Sequence, residues 1–236
     1  MKPYEIKPHF TKGSYHDKDI LRECLSVDML LPELSVLRET NLFGSLTLEL
    51  VSTMHWSRQY ELPWSIDVSR LESHHLVLDA GCGYSSTKYF AARRARKVVG
   101  IDLNQDYLDI ANNGCKKLKL DNVELYNSDI SSFKYNEKFD RVFCISVLEH
   151  DPSHDNRIKC LDNIINHLKP GGLFIFTYDV TYKLGQADFY VDESQSNIML
   201  EHLGFGPLYG KDAAFSGKIG EIGPLTTVCL VYQKPY

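Results

Sequence analysis

The chain has 236 residues, 43% hydrophobic and 24% charged, with a formal net charge of −5. That size allows a substantial core, and the acidic balance argues against the broad basic face that a grip on nucleic-acid phosphates needs. No segment reaches the ~18 uncharged residues of a membrane span, the opening MKPYEIKP lacks a signal peptide's apolar run, and the six cysteines include no C-x-x-C, so a cytoplasmic protein with buried, reduced thiols is expected.

In chain order, Asp17 to Leu31 places Ile20, Cys24, Val27 and Leu31 on one stripe and reads as a helix broken by Pro32. A shorter helix follows to Thr40, then a turn at Asn41 to Gly44. The segment Met54 to Trp64, with three large aromatics, Arg58 and Pro63, has neither strand nor helix periodicity. Residues 1–73 are expected to form a helical cap that recognises substrate, and residues 74–236 the main domain.

From residue 74 strands and helices alternate. Leu76 to Asp79 reads as a buried strand, Ser85 to Arg96 as a helix, and Lys97 to Asp102 as a second strand. Asn104 caps a helix carrying Tyr107, Ile110, Ala111, Cys115 and Leu118 on one face. Val123 to Tyr126 and Phe139 to Ser146 give strands three and four, with room for only a loop or single turn between Ile130 and Lys138. A helix starting near Ser153 and marked by Ile158, Leu161, Ile165 and Leu168 stops at Lys169-Pro170-Gly171-Gly172. Leu173 to Tyr178 is strand five, a helix spans about 193–203, and two further strands follow, the last Thr226 to Gln233. Such alternation predicts an α/β, Rossmann-like fold: an open, seven-stranded, mostly parallel sheet with helices on both faces. Its ligand belongs beyond the carboxyl ends of the strands.

At one such end stands Leu76-Val77-Leu78-Asp79-Ala80-Gly81-Cys82-Gly83-Tyr84-Ser85-Ser86. Gly81 and Gly83 allow a sharp turn and close approach to a ligand. Asp102, 21 residues after Gly81 at the second strand's end, suits a pair of ribose hydroxyls. A nicotinamide site normally adds a third glycine, which is missing here. Asp79 would repel a pyrophosphate and suits a cationic ligand instead.

Five segments in order, Val77–Gly83, Gly100–Asp102, Ser128–Ile130, Ser146–His150 and Leu168–Gly172, make residues 74–236 resemble a class I S-adenosylmethionine-dependent methyltransferase. The resemblance implies that Gly81 and Gly83 pack against the methionine part of S-adenosylmethionine and that Asp79 lies near its sulfonium or amino end. Asp102 would hold the ribose, Leu103 would lie beside the adenine, Asp129 and the Ile130 amide would read its edge, and Ser146 and Val147 would line the methionine side next to the transferred methyl. Arg58 would pair with the cofactor carboxylate. Ser85 stands where relatives often have glycine.

A base for the acceptor should project from the fourth or fifth strand end or from the N-terminal cap, with His150 the first candidate, then His55 and His154; Tyr178 and Tyr182 would orient the acceptor. Glu149 with Asp179 is a better pair for a hard cation than His150 with His154, but the site is read as metal-free. Lys88, Arg93, Arg94, Arg96 and Lys97, like Lys116, Lys117 and Lys119, read as solvated helix faces. The Ser146-Val147-Leu148-Glu149 run lacks the N/D-P-P-Y/F pattern of base-amino methylation. The polar and aromatic residues 180–192 favour a small, partly polar acceptor methylated at oxygen, nitrogen or carbon. A protein or RNA methyltransferase, or a non-methylating cofactor-binding member, is the alternative, and the sequence leaves the oligomeric state open.

Overall fold

The computed structural model describes residues 58–83, 85–181, 191–206, 215–219 and 223–236. The expected helices before residue 41, His55 and Tyr182 lie outside the described residues.

Among the described residues eight strands form one sheet: β1 (Leu76–Ala80), β2 (Lys97–Asp102), β3 (Val123–Asn127), β4 (Phe139–Ile145), β5 (Leu168–Thr181), the two-residue β6 (Val191–Asp192), β7 (Phe215–Ile219) and β8 (Gly223–Gln233). The order is β3-β2-β1-β4-β5-β8-β7, with β6 beside the end of β5. Pairs from β3 through β5 are parallel, whereas β8 runs antiparallel to both β5 and β7. The expected seven-stranded, mostly parallel sheet is therefore present, extended by β6. The chain reverses its direction of winding at β1, flanked by β2 and β4, and that switch point opens a crevice at the carboxyl ends.

Side chains alternate between two cores, as strands covered on both faces require. Leu76, Leu78, Val99, Ile101, Phe174 and Phe176 join one cluster with residues of α4 (His154–His167) and α5 (Glu193–His202). Val77, Val98, Phe143, Ile175 and Val231 join the other, against α1 (Arg58–Ser69) and α2 (Thr87–Ala92). Helix α3 (Gln105–Lys117) is capped by Asn104, whose side chain accepts from the amides of Asp106 and Tyr107. Ser153 caps α4 in the same way, leaving His150 outside that helix as expected.

Three local expectations need correction. Residues from Arg58 onward are helical although Pro63 lies inside the helix and gives no N–H to the residue four before it. Helix α2 is half the expected length, because the Arg96 and Lys97 amides turn to the His75 carbonyl and draw the chain into β2. Strand β5 begins at Leu168, before the Pro-Gly-Gly run; Leu168 pairs with Phe139, and after a register shift Leu173 pairs with Arg141.

Candidate functional site

The turn after β1 is fixed by hydrogen bonds to β2. Gly81 and Gly83 have φ of +71° and +45°, the left-handed region where a side chain is strained. The Cys82 amide donates to the Ile101 carbonyl at 2.9 Å, and the Gly83 amide to Asp102 Oδ2 at 2.8 Å. Asp102 Oδ1 accepts from the Asn104 amide at 2.8 Å. Both carboxylate oxygens are thus oriented by main-chain donors, and each keeps lone-pair capacity for an added hydroxyl. Val147 fills the space above Gly81: a Cβ there would come to 2.6 Å from Val147 Cγ2.

Beside the turn lie two buried ionisable side chains, Asp79 and Lys88. Burial pushes the Asp79 carboxyl up to about 6, opposed by the positive charge of Lys88 and reinforced by Asp102. Its Oδ2 atom has no hydrogen-bond partner. Lys88, expected on a solvated face, is wholly buried and donates to the carbonyls of Cys82 (3.0 Å) and Ser85 (2.7 Å). The correction has a simple cause: every residue of the short α2 is buried, so it has no solvent face. Arg93, Arg96, Lys116, Lys117 and Lys119 are exposed, as expected.

Above the turn is a cavity of about 480 Å³, within the range of small-molecule sites. Eight of the expected residues line it: Gly81, Asp102, Leu103, Asp129, Ile130, Ser146, Val147 and His150. Leu103 is 71% exposed, an apolar side chain left to water at the rim. Asp129 Oδ1 accepts from the Ser131 amide at 2.7 Å, and the Asp129 carbonyl accepts from Phe133. His150, exposed, closes the single 3-10 turn Leu148–His150. Asp79 and Gly83 are not on the cavity wall, although both adjoin it through the turn. Arg58 is the first residue of α1, and its side chain lies outside those described.

Tyr178 does not reach the cavity. It is buried in the α4/α5 core, its hydroxyl 2.9 Å from Ser196 Oγ. His154 opens α4 and is not a wall residue. Glu149 and Asp179 do meet: the Asp179 amide donates to Glu149 Oε1, and Thr227 donates to Asp179 Oδ1 at 2.6 Å. Among the described residues, the one set of three His, Cys, Asp or Glu groups close enough to share an ion is Glu72, His74 and His75, before β1 and away from the cavity. Burial pushes the Cys82 and Cys160 thiols up to about 12, so neither is a nucleophile at neutral pH.

Sequence reasoning missed two contributors. Tyr107, on the first turn of α3, lines the cavity at 40% exposure; its place on the apolar stripe pointed to core instead. Glu61, on α1, is fully buried, and its Oε2 accepts from Ser146 Oγ (2.7 Å) and Thr177 Oγ1 (2.5 Å). No sequence signal links residue 61 to 146 and 177.

Comparison with known proteins accords with this geometry. Residues 77–172, which span the turn, the acids and the cavity wall, match the family model described as "Methyltransferase domain". Over that segment the chain carries the pattern of a methyltransferase domain. Over 117 residues the chain is 30% identical to (S)-coclaurine N-methyltransferase of Papaver somniferum, covering 49% of this chain and 32% of that protein. Over 109 residues it is 33% identical to ubiquinone biosynthesis O-methyltransferase of Coxiella burnetii, covering 45% of each. The chain thus spans less than half the length of these curated relatives. In fold, a solved S-adenosylmethionine-dependent methyltransferase from Clostridium acetobutylicum aligns with a TM-score of 0.58 at 19% identity, over 84% of this chain and 99% of that one. Among the described residues, no helix is long and apolar enough to cross a membrane.

The residues suit that cofactor. The orphaned, buried Asp79 oxygen favours a cation nearby, the oriented Asp102 carboxylate favours vicinal hydroxyls, and exposed Leu103 favours a flat apolar ring.

Proposed function

We propose that this domain transfers a methyl group from S-adenosylmethionine to an oxygen, nitrogen or carbon atom of a small, partly polar acceptor. The observation that carries the reading is the convergence of Gly81, Asp102, Leu103, Asp129, Ile130, Ser146 and His150 around one cavity at the switch point of the sheet. In this reading Asp102 holds the ribose, Leu103 covers the adenine, and Asp129 with the Ile130 amide reads the adenine edge. Asp79 compensates the positive end through the Gly81–Gly83 turn, Ser146 bounds the methyl end, and Arg58 pairs with the cofactor carboxylate.

The cofactor, when bound, supplies an electrophilic methyl on a sulfonium whose leaving group is a neutral thioether. The protein has no leaving anion to stabilise. Its residues must hold the acceptor in line, exclude water and take the acceptor's proton. His150, on the cavity wall and reachable from solvent, is the proposed base. The cap of residues 1–73 and the segment 180–192 would select the acceptor. A small acceptor is favoured by the modest cavity and by the small-molecule names of the curated relatives.

The test is turnover with a panel of small amines, phenols and catechols, read as S-adenosylhomocysteine formed. Product should form with at least one acceptor, and His150→Ala should lower kcat by roughly 10²-fold or more with cofactor affinity unchanged. Cofactor binding without product from any small acceptor, but with product from a protein or RNA extract, would overturn the small-acceptor reading.

A further inference from the structure

Ser146 has φ of +49°, a left-handed conformation that a non-glycine residue adopts only where its surroundings hold it. The holders are visible. Its amide donates to both the carbonyl (2.9 Å) and the hydroxyl (3.1 Å) of Thr177 on the neighbouring strand. Its own hydroxyl donates to Glu61 Oε2, the oxygen that also accepts from the Thr177 hydroxyl. One carboxylate oxygen therefore ties together α1, the end of β4 and β5, with all three side chains buried.

The strained residue is itself a cavity wall, and its successor Val147 packs directly on Gly81. The peptide between residues 146 and 147 is thus held on one side by Glu61 and abuts the glycine turn on the other. Charge-assisted hydrogen bonds to a carboxylate are about twice as strong as neutral ones, and a group fully removed from water is not released cheaply.

We infer that Glu61 is a positioning residue for the cofactor-binding wall: through Ser146 and Thr177 it fixes the backbone at residues 146–147, and so makes helix α1, which precedes the sheet, part of the site. It is not on the cavity wall and reaches that wall through Ser146 and Thr177. The inference rests on reading the cavity as the cofactor site. It adds to that reading a dependence on a residue outside the segment that matches the family model.

The test is titration calorimetry with S-adenosylhomocysteine on the full chain and on Glu61→Ala, Glu61→Gln, Ser146→Ala and the Glu61→Ala/Ser146→Ala double variant. Circular dichroism and thermal melting establish that each is folded. Glu61→Ala should lose about tenfold in affinity. Glu61→Gln, which keeps an acceptor oxygen for the two hydroxyls, should recover to within about threefold of wild type. The double variant should bind no worse than the weaker single variant, because both act through one contact. Additive losses, or a folded Glu61→Ala protein that binds like wild type, would overturn the inference alone. If Glu61→Ala does not fold, the Gln variant and Ser146→Ala decide: a tenfold loss in Gln, or none in Ser146→Ala, overturns it. Wild-type protein that does not bind would overturn the cofactor reading as well.

Discussion

Lys88 donates its ammonium to the Cys82 carbonyl at 3.0 Å, from a position with no access to solvent. It also donates to Ser85 and is the positive charge set against buried Asp79. A lysine one helical turn beyond the glycine turn thus clamps the backbone and balances the acid beneath it. Replacing it leaves two carbonyls without their donor and an uncompensated buried carboxylate. Lys88→Met should cost on the order of 3–5 kcal/mol, measured by denaturant unfolding, and should drive Asp79 further up.

Asp79 makes stability depend on pH in a defined direction. A carboxyl raised from its ordinary 3.8 to about 6 binds more protons folded than unfolded between those values. Stability contributed at this position is therefore lost as pH rises through that window, and the deficit persists above it. Asp79→Asn should be more stable than wild type at pH 8 by on the order of 3 kcal/mol, with the difference vanishing near pH 4. In exchange, the variant should bind S-adenosylmethionine more weakly at pH 8, and wild-type affinity should fall as pH drops through about 6. Paired melts and titrations at pH 4, 6 and 8 check both signs.

Leu103 separates binding from folding. Because its side chain is mostly exposed, Leu103→Ala should change stability by no more than about 0.5 kcal/mol. If it covers the adenine, cofactor affinity should fall by on the order of 1 kcal/mol, the value of an apolar side chain partly removed from water. Affinity equal to wild type would remove Leu103 from the site.

The sequence made the cofactor side legible because its signals are local. The apolar strands end in Asp79 and Asp102, the glycines mark left-handed turns, and Asn104 and Ser153 cap helices through their own side chains. Helix α1 was not legible, since Pro63 contradicts a helix. What favours it is tertiary: Trp64 and Ile66 enter the core shared with Val77 and Phe143, and Glu61 finds its hydroxyls on β4 and β5. Lys88 was misread for a related reason, because charge implies a solvent face only where a helix has one. Tyr178 was misread because strand alternation carried it into the core opposite α5.

In the function proposed above, the cavity over the Gly81–Gly83 turn binds S-adenosylmethionine with its ribose on Asp102. The most direct measurement is calorimetric titration of S-adenosylmethionine and NAD onto wild type and Asp102→Ala. Wild type should bind the sulfonium compound and not NAD, and Asp102→Ala should lose on the order of 1–3 kcal/mol of that affinity, the cost of hydroxyls left unpaired. Binding of NAD alone, or an affinity indifferent to Asp102, would contradict it.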